Sequence, residues 1–120
     1  MTRFEADAPS DRLALVVDAI AAHRARDSEG AVFESDRTTV RYADRTLRIE
    51  CDAAERERLN ALLADFHVFK VAQPETRKAP EGVVYLSAIA DPKHAADFVE
   101  GLFRRVYGHD EGYELRVVRV

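Results

Sequence analysis

The hydrophobic period of the chain changes several times, and each change marks an element. After Pro9-Ser10, Leu13, Val16, Val17 and Ile20 recur at helical spacing, with Asp18, His23, Arg24 and Arg26 off that stripe. This predicts a first helix capped by Ser10 or Asp11 and ended by Ser28-Glu29-Gly30. From residue 31 to 51 the period falls to two. Ala31 to Ser35, Thr38 to Tyr42 and Thr46 to Cys51 read as three short antiparallel strands, turning at Asp36-Arg37 and Ala43-Asp44-Arg45. Val40, Tyr42, Leu47, Ile49 and Cys51 fall on the inward face, and Thr39, Arg41, Arg48 and Glu50 on a face that stays wet.

Asp52 and Glu55 form a D-x-x-E start for a second helix, whose buried stripe is Leu59, Leu62, Leu63 and Phe66. Val68 to Ala72 reads as a fourth strand. Residues 73–82 carry two prolines and a glycine without a large apolar side chain, which forbids regular structure and predicts a loop. Val83 to Ala90 is an almost continuous apolar run, the pattern of a central strand covered on both faces. Asp91-Pro92 opens a third helix, with Ala95, Phe98, Val99, Leu102, Phe103 and Val106 as its stripe and Gly108 as its stop. Tyr113 to Val120 is β-branched and reads as a last strand.

The element order is therefore α-β-β-β-α-β-β-α-β. It predicts a single α+β domain over residues 1–120, with a mixed β-sheet and its helices mainly on one face. The last strand–helix–strand unit would be right-handed if its two strands are parallel neighbours.

Composition narrows the classes. With 120 residues and a 47% apolar share, the chain can bury a core without a metal or disulfide staple. No run approaches the roughly 18 apolar residues of a membrane span. Met1 to Pro9 lacks the apolar stretch of a secretory signal, and a single cysteine, Cys51, fits a reducing cytoplasm. Net charge is −4, from 18 basic and 22 acidic residues, so bulk charge disfavours general nucleic-acid binding and leaves only a local patch. Only Lys70, Lys78 and Lys93 are lysines; the arginine bias, with abundant Ala and Asp, points to a GC-rich and halophilic source.

Candidate chemistry is sparse. His23, His67, His94 and His109 have no partner at metal-ligand spacing, and no G-x-S-x-G or Gly-rich phosphate loop occurs. The expectation is no catalytic residue, no metal and no cofactor. Arg77-Lys78, at the tip of the proline-bracketed loop with Gln73 and Thr76, could grip a phosphate or an acidic patch. Lys93 and His94 follow Asp91 at a helix N-terminus, where free amides attract anions, although Asp91 as the cap already occupies them. Arg41 and Arg48 line the wet face, and pairing with Glu34 and Glu50 accounts for their charge. Tyr85 and Ser87 are assigned to the core, and Cys51 to a buried, inert thiol.

Phe66 to Lys78, Gly82-Val-Val-Tyr-Leu-Ser and Asp91-Pro-Lys-His-Ala-Ala-Asp-Phe-Val-Glu together resemble an uncharacterised family of small proteins from halophilic archaea. The resemblance covers essentially the whole chain and implies no known activity. The order α-βββ-α-ββ-α is also similar to that of secretion-chaperone and YbjN-like folds, which implies a dimeric protein binder; the final strand departs from that pattern.

These features favour a non-enzymatic interaction module, a homodimer that binds another protein through an exposed terminal strand at residues 113–120. One alternative is a small enzyme or a binder of an anionic metabolite, with its site near His94 under the 73–82 loop. The other is a nucleic-acid or ribosome accessory factor that touches phosphate through Arg41, Arg48, Arg77 and Lys78.

Overall fold

The computed structural model describes residues 5–26, 30–35, 38–43, 45–72, 82–88 and 90–119. The architecture is α+β. In chain order the elements are β1 (Glu5–Ala6), α1 (Pro9–Arg26), β2 (Ala31–Ser35), β3 (Thr38–Ala43), β4 (Thr46–Glu50), α2 (Ala53–Asp65), β5 (Lys70–Ala72), β6 (Val83–Ser87), α3 (Pro92–Gly101) and β7 (Leu115–Arg119). A π-helical turn, Leu102–Val106, prolongs α3. The expected order holds with one addition, β1, whose two residues are too few to carry a period-two signal.

Two helix starts follow directly from their capping residues. Asp52 Oδ1 accepts from the Glu55 amide at 2.8 Å, and the Asp52 amide donates to Glu55 Oε1 at 2.9 Å, closing the capping box of α2. Asp91 Oδ1 accepts from the His94 amide at 2.8 Å, and Pro92 takes the first position of α3, where a missing amide costs nothing. Such caps contribute about 1 kcal/mol each. Helix α1 begins earlier than expected. Pro9 is its first residue, so Ser10 and Asp11 lie in the first turn and the Arg12 amide reaches back to the Ala8 carbonyl at 2.9 Å.

The strands form one sheet in the order β1-β7-β2-β3-β4-β6-β5. Every pairing is antiparallel, which corrects the expected mixed sheet. The reason lies in the β2-β3-β4 meander. It sits between β6 and β7, so these two strands point the same way but never touch, and no parallel ladder forms. Strand β7 is accordingly not an edge; β1 and β2 flank it. Gly30 leads into β2 with φ +143°, and a Cβ there would approach the Tyr42 carbonyl oxygen to 2.6 Å, so glycine permits the close pass of the chain at this point.

All three helices cover the same face of the sheet. Phe33, Val40, Tyr42, Leu47, Ile49, Leu86 and Leu115 form its buried floor. Ile20, Leu59 and Leu62 pack on it from α1 and α2, and every residue of the expected α3 stripe is buried. Each such side chain contributes about 1.5–3 kcal/mol by leaving water. Phe69 stacks on Phe98 at 4.2 Å between ring centres and ties the approach to β5 onto α3. A Cβ at Gly101 would come within 2.9 Å of Leu62 Cδ1, so the close packing of α2 against the end of α3 depends on that missing atom.

Several placements differ from expectation. His23, placed off the stripe of α1, is only 7% exposed and meets Tyr42 edge-on at 5.6 Å, because α1 is wedged between the sheet and α3. Cys51 lies just past the end of β4 and packs against the core, but is half-buried rather than fully buried. Among the described residues, helices cover strand β6 on one face only. Val84 and Leu86 are buried, while Val83, Tyr85 and Ser87 are half-buried on the other face, so Tyr85 and Ser87 are not core residues.

Candidate functional site

Among the described residues no helix lies over the second face of the sheet. Its strand residues are those that alternate with the buried floor: Val32 and Glu34, Thr39 and Arg41, Thr46, Arg48 and Glu50, Tyr85 and Ser87. Register sets their neighbours. Val32 pairs with Arg41, Arg41 with Arg48, and Arg48 with Tyr85, so a row of these four crosses β2, β3, β4 and β6 with the two arginines adjacent and Tyr85 beside them, and its register continues to Arg119 on β7 and Ala72 on β5. Adjacent strands lie about 4.8 Å apart, which spreads the row over about 15 Å.

Neither central arginine is neutralised. Glu34, expected to pair with them, instead accepts from Arg116 Nη2 at 3.0 Å across β2 and β7. Glu5 stands opposite Arg116 on its other side. The acids of this face thus gather at the β1–β7 end, and Glu50 alone stands on β4 beside the row. Among the described residues Arg41 and Arg48 make no ion pair or hydrogen bond. Like charges directly opposite each other on neighbouring strands oppose folding, so this pair is retained at a cost to stability.

The other candidate positions scatter. Gln73, Thr76, Arg77 and Lys78 lie outside the described residues. Lys93 and His94 are exposed in the first turn of α3, and the His94 ring nitrogen Nδ1 sits 2.8 Å from Asp91 Oδ1. The His94 amide, and then its ring, hold the Asp91 carboxyl below its ordinary range. A hollow of about 240 Å³ beside this turn is lined by Arg24, Arg45, Ala90 and Asp91, and Arg24 is spent on Tyr42 Oη and the Ala90 carbonyl. Among the described residues no three His, Cys, Asp or Glu side chains are placed to hold a metal ion. Burial pushes the Cys51 thiol up, so it is no activated nucleophile.

A second polar cluster lies under the helices and was not read from the sequence. Arg12, 1% exposed, donates from Nε and Nη2 to the two oxygens of Glu100 at 3.0 and 2.8 Å, and from Nη1 to the carbonyls of Asp7 and Tyr113. Its guanidinium carbon lies 3.9 Å from the centre of the Tyr113 ring, whose hydroxyl donates to Glu100 Oε1 at 2.6 Å. Burial raises the Glu100 carboxyl, but hydrogen bonds from Arg12 and Tyr113 and the Arg12 charge outweigh it and hold the group below its ordinary range. Each guanidinium nitrogen of Arg12 has an acceptor, so the cluster ties α1, α3 and the approach to β7 together without presenting a reactive group. Beside it, Ser35, His109, Asp110, Tyr113, Glu114 and Arg116 border an open hollow of about 510 Å³. His109 Nε2 is there held 3.1 Å from Thr38 Oγ1.

A family model described as "Family of unknown function (DUF7975)" matches residues 1–120. The chain belongs to the DUF7975 family. The likeness to an uncharacterised family over the whole chain is thereby borne out. No curated protein and no solved structure matches the chain. No helix among the described residues of this DUF7975 member is long and apolar enough to cross a membrane.

Proposed function

We propose that this DUF7975 member is a non-catalytic interaction module, and that it binds an anionic macromolecule across the bare face of its sheet. The observation that carries this reading is the facing pair Arg41 and Arg48, exposed and half-buried respectively, with no ion pair or hydrogen bond among the described residues. A fold under selection for stability alone would place a carboxylate or a threonine at one of these positions. An anionic partner supplies the missing counter-charge and turns a destabilising contact into a favourable one. Titration of the full chain with a polyanion, followed by anisotropy or calorimetry, tests it. Binding that weakens steeply with salt and is lost in Arg41→Thr/Arg48→Thr is expected; unchanged binding by that variant would refute the surface assignment.

Self-association has a separate basis. Strand β5 is the outer strand at one end of the sheet, and Val68 and Val71 beside it are 56% and 38% exposed. A second copy could pair along this edge and cover both valines. The terminal strand is less suited, since β2 lies along one side of β7 and β1 pairs with Leu115 and Arg116 on the other. Light scattering that returns only the monomer mass at high concentration would remove the homodimer. The arginine bias and the single cysteine further support a cytoplasmic protein of a halophilic archaeon.

A further inference from the structure

We infer that the partner of the bare face is single-stranded RNA, with Arg41 and Arg48 on neighbouring phosphates and Tyr85 beneath a base. This rests on the reading of the bare face as the working surface and adds the chemistry of its occupant. Three observations favour a single strand over other polyanions. First, Tyr85 lies in the same register row as the two arginines and is half-buried on the uncovered face, not in the core. An acidic peptide needs the cations only, whereas a nucleic acid single strand needs cations and an aromatic ring side by side. Second, the register runs on past both ends of these four residues, from Val32 to Arg119 and from Tyr85 to Ala72, so they lie on open sheet with no helix among the described residues to wall in a folded ligand. A splayed strand lies across such a sheet; a duplex, recognised through its grooves and its shape, makes no use of a tyrosine there. Third, the face is charge-segregated. Glu5 and Glu34 surround Arg116 at the β1–β7 end, whereas toward the β4–β6–β5 end, where Tyr85 stands, the described residues of this face are Arg41, Arg48 and Lys70 against the one acid Glu50. This local patch exists within a chain whose net charge is −4, so attraction is confined to one region of the surface.

Lys70 pairs with Ser87 on this face and extends the cationic track beyond Tyr85. The Ser87 hydroxyl offers a further donor and acceptor in reach of a ribose. The footprint is small, of the order of two to four nucleotides, and affinity for one copy is correspondingly modest.

The test uses the full chain and three fluorescein-labelled probes: a 12-nucleotide oligouridine, a 12-base-pair RNA duplex and poly-glutamate of similar length. Anisotropy is followed between about 50 and 200 mM salt, the range over which phosphate contacts are revealed by counterion release. The oligouridine is expected to bind more tightly than the other two. Arg41→Thr/Arg48→Thr should reduce the slope of log affinity against log salt by about 1.4, from about 0.7 per phosphate on a single strand. Arg56→Gln/Arg105→Gln, which removes the same charge from the helical side, should leave that slope unchanged. Tyr85→Thr should weaken binding about 5- to 150-fold, the range for losing one stacked base, while Tyr85→Phe retains most of it. The chain has no tryptophan, so Tyr85→Trp installs a single reporter whose fluorescence is quenched when a base stacks on it. Melting curves establish that each variant is folded.

Four results would overturn the inference, and they differ in what else they remove. Binding of poly-glutamate but not oligouridine, lost in Arg41→Thr/Arg48→Thr, refutes the RNA and leaves the interaction surface standing. Duplex bound as tightly as the single strand, without quenching of the Tyr85→Trp reporter, refutes the stacking. Oligouridine binding untouched by the arginine and tyrosine variants places the contact elsewhere. No binding of any probe at about 50 mM salt, under which a phosphate-dependent contact is strongest, removes both the inference and the reading beneath it.

Discussion

Arginine is used in two opposite ways on the two sides of this sheet. Under the helices Arg12 is 1% exposed, and its donors are met by two carboxylate oxygens and two carbonyls, with an aromatic ring against its plane. On the bare face Arg41 and Arg48 stand opposite each other with no acceptor among the described residues. The first arrangement is closed and holds parts of the chain together that are far apart in sequence. The second is open and makes no such contact among the described residues. The difference separates an arginine whose contacts are internal from a pair whose contacts within the described residues are lacking, and it is on the second that the proposed interface rests.

The comparison can be broken first at its buried end. Arg12→Met should destabilise the fold by about 3 kcal/mol, because it leaves Glu100 without its counter-charge in a largely buried position. Denaturant unfolding measures this, and Arg12→Met/Glu100→Leu should recover much of the loss. An effect below about 1 kcal/mol would mean that Arg12 is no more structural than a surface arginine. The same pair sets an acid limit. Glu100 titrates lower in the folded protein than its ordinary 4.5, so its contribution is complete above that value and is lost as pH falls through the lower folded value. Thermal melts between about pH 6 and 3 should therefore show a steeper acid loss for the native chain than for Glu100→Gln.

Tyr113→Phe is a gentler probe. It keeps the ring beneath Arg12 and removes only the hydroxyl that donates to Glu100 at 2.6 Å. A loss of about 1.5 kcal/mol is expected for a hydrogen bond to a charged acceptor. The smallest effect belongs to the bare face and has the opposite sign. Arg48→Thr should stabilise the isolated protein by about 0.5 kcal/mol at low salt, since it relieves a like-charge pair and keeps a β-branched residue in the strand. The gain should vanish near 1 M salt, where the Debye length is about 3 Å. Stabilisation by Arg48→Thr together with loss of partner binding would identify Arg48 as a residue kept for function.

The elements most legible in the sequence were those with strong local signals. The capping box at Asp52 and Glu55, the Asp91-Pro92 start and the six-residue stripe of α3 all lie where their spacing placed them, because caps and amphipathic periods act within a few residues. The wet side of the meander was legible for the same reason. Strand β6 was misread because a continuous apolar run looks alike whether one face or two are covered. Its half-buried Val83, Tyr85 and Ser87 face a surface no helix reaches. Arg12 and His23 were missed because polar residues off an apolar stripe give no local sign of what will pack against them. The partners of Arg12, Glu100 and Tyr113, lie 88 and 101 positions away.

What the sequence by itself determined is the set of pieces: which stretches coil, which extend, where helices begin, and which side of each strand avoids water. These follow from interactions between near neighbours along the chain. Only the tertiary structure decided the strand order, the all-antiparallel pairing and the meeting of Arg41, Arg48 and Tyr85 in one row, because register between strands depends on how the whole sheet closes over its core. The candidate interface is a property of that register.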